Sequence, residues 1–219
     1  NISANSTVAF AGETGSGKTT IVDIILGLLR PNEGKLVVDG VPIEDENLPD
    51  WQANLGYVPQ EIYLNDTTVA SNIAFGVPES DLDTERVKQA AKDARIHEFV
   101  ENQLPDGYDT AVGEKGVRLS GGQKQRIGIA RALYHKPGVL VLDEATSDLD
   151  TVTERSVYGA IAESEELKTV IIIAHRLSTL KTCDRIFLVE GGEIISSGTY
   201  EELSEKSDRF KDFLDSGME

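Results

Sequence analysis

Residues 7–29 read TVAFAGETGSGKTTIVDIILGLL, and the order of textures in this stretch decides the fold. Val8 to Phe10 is a short apolar run that reads as a strand. Gly12–Thr19, GETGSGKT, matches the phosphate-loop pattern G-x-x-x-x-G-K-[ST] at every fixed position. Ile21, Val22, Ile24, Ile25, Leu28 and Leu29 then recur at helical spacing, and Arg30-Pro31 is expected to stop that helix. The glycines Gly12, Gly15 and Gly17 let backbone N–H groups turn inward around phosphate oxygens, with Glu13, Thr14 and Ser16 between them. The helix adds the positive end of its dipole. Lys18 is placed to reach the β- and γ-phosphates, Thr19 offers a hydroxyl to Mg²⁺, and Thr20 is a further candidate nucleotide-binding residue. A chance glycine-rich turn would need neither the strand before it nor the amphipathic helix after it.

About 125 residues downstream comes a second half-site, VLVLDE at Val139–Glu144. Four apolar residues suit a strand buried in a sheet, and two carboxylates emerge at its end. Asp143 is the expected Mg²⁺ ligand, and Glu144 the general base for an attacking water. Acidic residues after a strand also cap helices, but a phosphate loop upstream favours the nucleotide reading. Between the two lies LSGGQ, Leu119–Gln123. Ser120 can N-cap the helix that follows, and Gly121 and Gly122 let backbone amides approach an anion. One chain thus offers two helix N-termini suited to phosphate.

The remaining texture completes the architecture. Lys35 to Ile43 alternates around Asp39-Gly40, a hairpin turn signal. From about residue 65 to 125 the chain reads as a helical insertion, with Val87, Ala90, Ala91 and Ala94 on one face and Ile96, Phe99 and Val100 in a second short helix. Val170 to Ile173 is a continuous apolar run, as a parallel strand covered on both faces requires. A helix from about Thr153 to Ser164 supplies the crossover. Ile186–Val189 and Glu193–Ile195 flank Gly191-Gly192 as a hairpin, and Thr199 with Glu202 forms a capping box for a final acidic helix. The sum is an α/β fold with a parallel-sheet core and an inserted helical subdomain.

Taken in order, these motifs make the chain resemble the ATP-binding cassette (ABC) ATPases over nearly its whole length. GETGSGKT looks like the family's Walker A, VLVLDE its Walker B and LSGGQ its signature. Gln60, in YVPQ, matches the Q-loop glutamine, which in the family senses Mg²⁺ and water and meets the transmembrane partner. SDLD, Ser147–Asp150, matches the D-loop, with Asp148 where alanine is usual. His175, in AHRLST, matches the switch histidine that clamps the γ-phosphate. VGEKG, Val112–Gly116, looks like the segment that touches coupling helices in exporters.

The resemblance implies a P-loop NTPase (RecA-like) core with an incomplete antiparallel β subdomain, residues 1–219 forming one nucleotide-binding domain. It implies ATP and Mg²⁺ as ligands, the ion held by Thr19, Gln60 and Asp143. It also implies catalysis by Glu144, His175 and Gln60, and a head-to-tail dimer in which Ser120, Gly121, Gly122 and Gln123 face the phosphate loop of a second nucleotide-binding domain. DEATSDLD, SNIAFG and HRLST look like exporter sequences, and IYLNDTTVASNIAFG is similar to exporters of lipid-linked oligosaccharides or polysaccharides. The expected partner is an exporter's transmembrane domain in the same polypeptide, and the expected place the cytoplasmic face of a membrane. The family's adenine-stacking aromatic lies well upstream of the phosphate loop, and none of residues 1–9 is aromatic. The chain is therefore expected to be a piece of a longer polypeptide without membrane half or adenine clamp.

Composition sets limits. With 39% hydrophobic and 27% charged residues the chain is an ordinary globular one. Twenty-one basic against 38 acidic residues give a net charge of −17, which opposes binding to a nucleic-acid backbone. No apolar run approaches the roughly 18 residues of a membrane-spanning helix, and the start lacks a signal peptide's pattern. Two other readings stand beside the exporter. A soluble ABC ATPase of DNA repair or translation is opposed by the charge and the compact stretch between Lys18 and Ser120. A module that binds ATP without turnover is opposed by the presence of Glu144 and His175. Phe10, Trp51, Tyr134, His97, His135 and Cys183 read as packing or surface residues.

Overall fold

The computed structural model describes residues 1–145, 149–162, 169–174 and 176–215. In chain order the elements are β1 (Thr7–Ala11), α1 (Lys18–Ile25), β2 (Val37–Val38), β3 (Val41–Pro42), α2 (Leu48–Ala53), β4 (Leu55–Val58), α3 (Val69–Ile73), α4 (Thr84–Asp93), α5 (His97–Gln103) and α6 (Gly121–Tyr134). There follow β5 (Val139–Asp143), α7 (Thr151–Ala162), β6 (Thr169–Ile173), α8 (Leu177–Leu180), β7 (Arg185–Glu190), β8 (Glu193–Gly198), α9 (Tyr200–Lys206) and α10 (Asp208–Asp215). The chain divides into two compact units, Asn1–Leu55 with Val141–Glu144 and Lys168–Glu219, and Gly56–Leu140 with Ala145–Leu167.

The first unit is built on a sheet ordered β5-β6-β1-β7-β8. β1 pairs in parallel with β6, Phe10 beside Ile173, and with β7, Ala9 beside Ile186. β8 returns antiparallel to β7 across the Gly191-Gly192 turn, with a bulge at Leu188/Val189. Every residue of β6 is buried, and so are Val8–Ala11 of β1. That is why these strands read as unbroken apolar runs rather than alternating ones. Phe10 is 3% exposed and stacks on Phe187 with ring centroids 5.4 Å apart, so it belongs to the core. Trp51 is buried and donates its indole N–H to the carbonyl of Ile25, 2.7 Å away, as packing rather than ligand contact.

The helix after the glycine loop is shorter than its apolar spacing predicts. α1 ends at Ile25 because Gly27 takes φ +70°, a left-handed conformation. Leu28 N–H then reaches back to the carbonyl of Asp23 at 2.8 Å and Gly27 N–H to Ile24 at 3.0 Å. This pair of bonds is a Schellman cap, which satisfies the last carbonyls and stops the helix. Leu28 and Leu29 are consequently exposed, 62% and 46%, instead of extending the buried face. The Asp39-Gly40 turn does join β2 to β3, with φ of 49° and 82° as a primed turn needs. The capping box of Thr199 and Glu202 opens α9 as its sequence requires.

The second unit holds α3 to α7 and most of β4. β4 escapes the sequence reading, since four residues, LGYV, give too short an alternation. Val87, Ala90, Ala91 and Ala94 line one fully buried face, joined by Ile96 and Val100. α4 packs against α6, whose Ile127, Ile129 and Ala130 are also fully buried. Each such valine or isoleucine side chain contributes on the order of 1.5–3 kcal/mol through burial, and each alanine methyl about 0.8 kcal/mol. Gly128 lies inside α6 because a β-carbon there would stand 2.5 Å from Ile62 Cδ1. Arg86 of α4 donates to the carbonyls of Tyr134 and Leu133, closing the far end of α6. The crossover helix α7 runs to Ala162, and the rest of its expected span lies outside the described residues.

Candidate nucleotide site

The glycine loop leaves β1 at Ala11 and enters α1 at Lys18, and its shape follows from what each glycine must avoid. At Gly12, φ is +149° and a β-carbon would meet the Val189 carbonyl at 2.2 Å, so any side chain would push the loop off β7. At Gly17, φ is +107° and the Gly192 Cα is 3.2 Å from where a β-carbon would be. Gly192 N–H donates to the carbonyl of Ser16 at 2.8 Å. The β7–β8 turn thus braces the loop from behind.

Lys18 is 6% exposed, and its ammonium donates to the carbonyls of Gly12 and Glu13, both at 2.8 Å. The lysine thus folds back over its own loop. Ser16 Oγ is buried with no hydrogen-bond partner among the described residues, an orphan that a polar ligand in the loop would satisfy. Burial lowers the Lys18 pKa, while first Glu144 and then Asp143 act to raise it. Loop, Lys18, Asp143 and Glu144 therefore share one electrostatic neighbourhood at the carboxyl ends of β1 and β5. Asp143 is 7% exposed. Glu144 stands at φ +50°, a left-handed conformation uncommon outside glycine, asparagine and aspartate. Strain of that kind concentrates where a side chain must be aimed. A cavity of about 380 Å³ opens beside the loop, walled by Gly12–Ser16, Glu190, Gly191 and, from α10, Arg209 and Phe213.

In the second unit, Ser120 opens α6. Its Oγ accepts from Gln123 N–H at 3.3 Å, and Gln123 Oε1 accepts from Ser120 N–H at 2.8 Å. The pair is a capping box, so the Gln123 carbonyl serves the helix start. Gly121 is exposed and Gly122 half-buried. Beside them is a cavity of about 530 Å³ that also takes in Arg126, Leu149, Asp150 and Thr153. Arg126 donates to the carbonyls of Gly122 and Arg95, at 3.2 and 2.8 Å. Asp150 caps α7 through the N–H groups of Val152 and Thr153, and the Thr153 hydroxyl holds its carboxyl below the usual range. Nothing in the sequence marks Arg126 as part of this cavity. Gln60 follows β4 and is exposed. His175, and Ser147 and Asp148 of the SDLD segment, lie outside the described residues.

The two remaining histidines each meet a tyrosine. His97 shares a hydrogen bond of 2.8 Å with Tyr108, and His135 meets Tyr134 edge-on. Tyr134 is 8% exposed, a core residue. Cys183 is 7% exposed, and burial pushes its thiol up to about 12.

The family model described as ABC transporter matches residues 1–147. The chain belongs to that family and is its ATP-binding domain. It is 48% identical over 196 residues to an ATP-dependent lipid A-core flippase of Chromohalobacter salexigens, covering 90% of this chain and 33% of that protein. It is 42% identical over 219 residues to the protein of the same name in Francisella tularensis, covering all of this chain and 36% of the other. A bacterial Atm1-family ABC exporter, solved with ATP bound, superposes with a TM-score of 0.90 at 38% identity, covering 98% of this chain and 37% of that one. The chain thus spans about a third of the length of its relatives. Among the described residues, no helix is long and apolar enough to cross a membrane.

Proposed function

We propose that the chain hydrolyses ATP and that the cycle drives an exporter. What carries the reading is the buried Lys18 lying in the field of Glu144 and Asp143 at the mouth of a glycine loop. Lys18 exchanges its two carbonyl partners for the β- and γ-phosphates, and the loop's N–H groups take the remaining oxygens. Glu144 accepts a proton from water as the water oxygen bonds to the γ-phosphorus. The bond from that phosphorus to the β–γ bridging oxygen breaks, and ADP leaves with the electron pair.

Thr19 and Asp143 suit a hard cation, being a hydroxyl and a buried carboxylate, both oxygen donors. Mg²⁺ held there would neutralise charge on the phosphates when bound. By resemblance, Gln60 senses ion and water, and His175 clamps the γ-phosphate.

In the same reading, two copies pair head to tail, and Ser120, Gly121, Gly122 and Gln123 of each close over the nucleotide on the other. A transmembrane domain uses the opening and closing, docked near Gln60 and the segment after Val112, at the cytoplasmic face of the membrane. The flippase relatives favour a lipid-linked saccharide as cargo. They disfavour a soluble ATPase of DNA repair or translation. The test is phosphate release from ATP and Mg²⁺ by the purified chain. Release that Lys18→Ala abolishes is the expected result; none from the wild type, or release that survives in the variant, overturns the reading.

A further inference from the structure

Asn72 is fully buried on α3, yet every polar valence of its side chain is engaged. Its Nδ2 directs two hydrogens at three acceptors, the carbonyls of Asn65 and Thr68 and Thr67 Oγ1, at 3.0, 3.0 and 3.1 Å, one of them shared. Its Oδ1 accepts from Asn65 N–H and from Arg131 Nη2, each at 3.0 Å. Arg131, on α6, donates further to the carbonyls of Asn72 and Tyr63, at 2.8 and 2.9 Å. The same guanidinium lies 4.9 Å over the Phe75 ring. One side chain of the signature helix thus holds the segment that begins three residues after Gln60.

The knot also reaches the segment that leads into the signature. Val69 N–H donates to Thr110 and Val112 N–H to Thr67, each at 3.1 Å. Gly116 sits so close to Leu64 that a β-carbon would stand 3.0 Å from its Cδ1. Around this buried lattice the surface is apolar and open, with Tyr63 61%, Phe75 49% and Val117 76% exposed. An apolar residue could fill the space of Arg131. A guanidinium there loses hydration, and burial lowers its pKa, so its fork of fixed donors needs a reason beyond volume.

We propose that Arg131, with Asn72, is the positioning residue that couples residues 63–68 to the start of α6, so that displacing that segment displaces Ser120–Gln123. The fork makes the coupling directional. Its three donors, spread over three nitrogens, fix α6 against α3 and against the Tyr63 carbonyl at once, whereas a lysine carries all its donors on one nitrogen and lacks that fixed spread. This role rests on the reading of Ser120–Gln123 as half of a two-chain ATP site.

Arg131→Lys keeps the charge and removes the fork. Amide hydrogen exchange in the nucleotide-free chain is the first measurement. Faster exchange is expected both at Asn65 and Val112 and in the first turn of α6, with β1 and β6 unchanged. Turnover is the second, with kcat lowered about 10- to 100-fold by misplacement and KM moved by less than about twofold. Phe75→Leu removes only the ring beneath the guanidinium, and the same pattern is expected in weaker form if the lysine variant fails to fold. Faster exchange confined to residues 63–72, with the α6 turn and kcat as in the wild type, overturns the proposal. A wild type without ATPase activity would sink the functional reading instead, and the exchange pattern, which needs no nucleotide, would still decide the coupling.

Discussion

Glu144 is held in a left-handed backbone conformation directly after a buried aspartate, so its carboxylate is aimed by the chain rather than by rotamer choice alone. Glutamine has nearly the same shape and no basicity. Glu144→Gln should lower turnover by roughly 10²–10⁴ while leaving ATP affinity near that of the wild type. Single-turnover hydrolysis beside equilibrium binding separates the two, and unchanged hydrolysis would remove Glu144 from its role. Cys183 makes an opposite case at the same scale. Burial and the neighbouring Asp184 carboxylate push its thiol up to about 12, and its Sγ–H donates to the Thr179 carbonyl. At pH 8 the thiolate should be scarcer than in an ordinary cysteine by roughly 10³-fold. Iodoacetamide should therefore label the folded chain far more slowly than the chain in denaturant; equal rates would show the site to be open.

Elements show where sequence reading holds and where physics outside its window takes over. β1, β5 and β6 were legible because strands buried on both faces are spelled as apolar runs, α4 through its periodic apolar face, and α6 and α9 through their capping residues. The end of α1 was not, because Leu28 and Leu29 keep the helical spacing while Gly27 just before them turns the backbone left-handed. Alanine at residue 27 would carry a side chain at φ +70°, with its β-carbon 2.3 Å from Leu48 Cδ1. Leu48 can shift, so the backbone term dominates, and Gly27→Ala should cost about 1–3 kcal/mol. Urea unfolding would read this directly, and a loss near zero would mean that the Schellman turn contributes little. The candidate site divides the same way. Loop, buried aspartate and capped signature helix were legible as motifs. The brace of Gly192 on Ser16, and Arg131 on the Tyr63 carbonyl, were not, because a backbone acceptor leaves no trace in the residue identities around it.

At the scale of the whole molecule the question is where the second phosphate-binding helix start does its work. The chain carries Lys18 in one compact unit and Ser120 in the other, and the functional reading has each Ser120 serve the nucleotide on a second copy. Ser120→Arg puts bulk at the exposed mouth of α6, where Gly121 and Gly122 keep the backbone bare. It should abolish nucleotide-driven pairing in size-exclusion chromatography and leave nucleotide binding by the monomer nearly intact. Lys18→Ala should lose nucleotide binding itself, since it removes the phosphate partner within the same chain. Neither variant alone can then form a working site. Mixed, they can form one, because a dimer of the two joins the intact loop of the Ser120→Arg chain to the intact signature of the Lys18→Ala chain. Measurable ATPase in the mixture, with none in either variant alone, is the expected outcome. Should Ser120→Arg by itself destroy nucleotide binding to the monomer, the signature acts within its own chain, and the head-to-tail pairing is wrong.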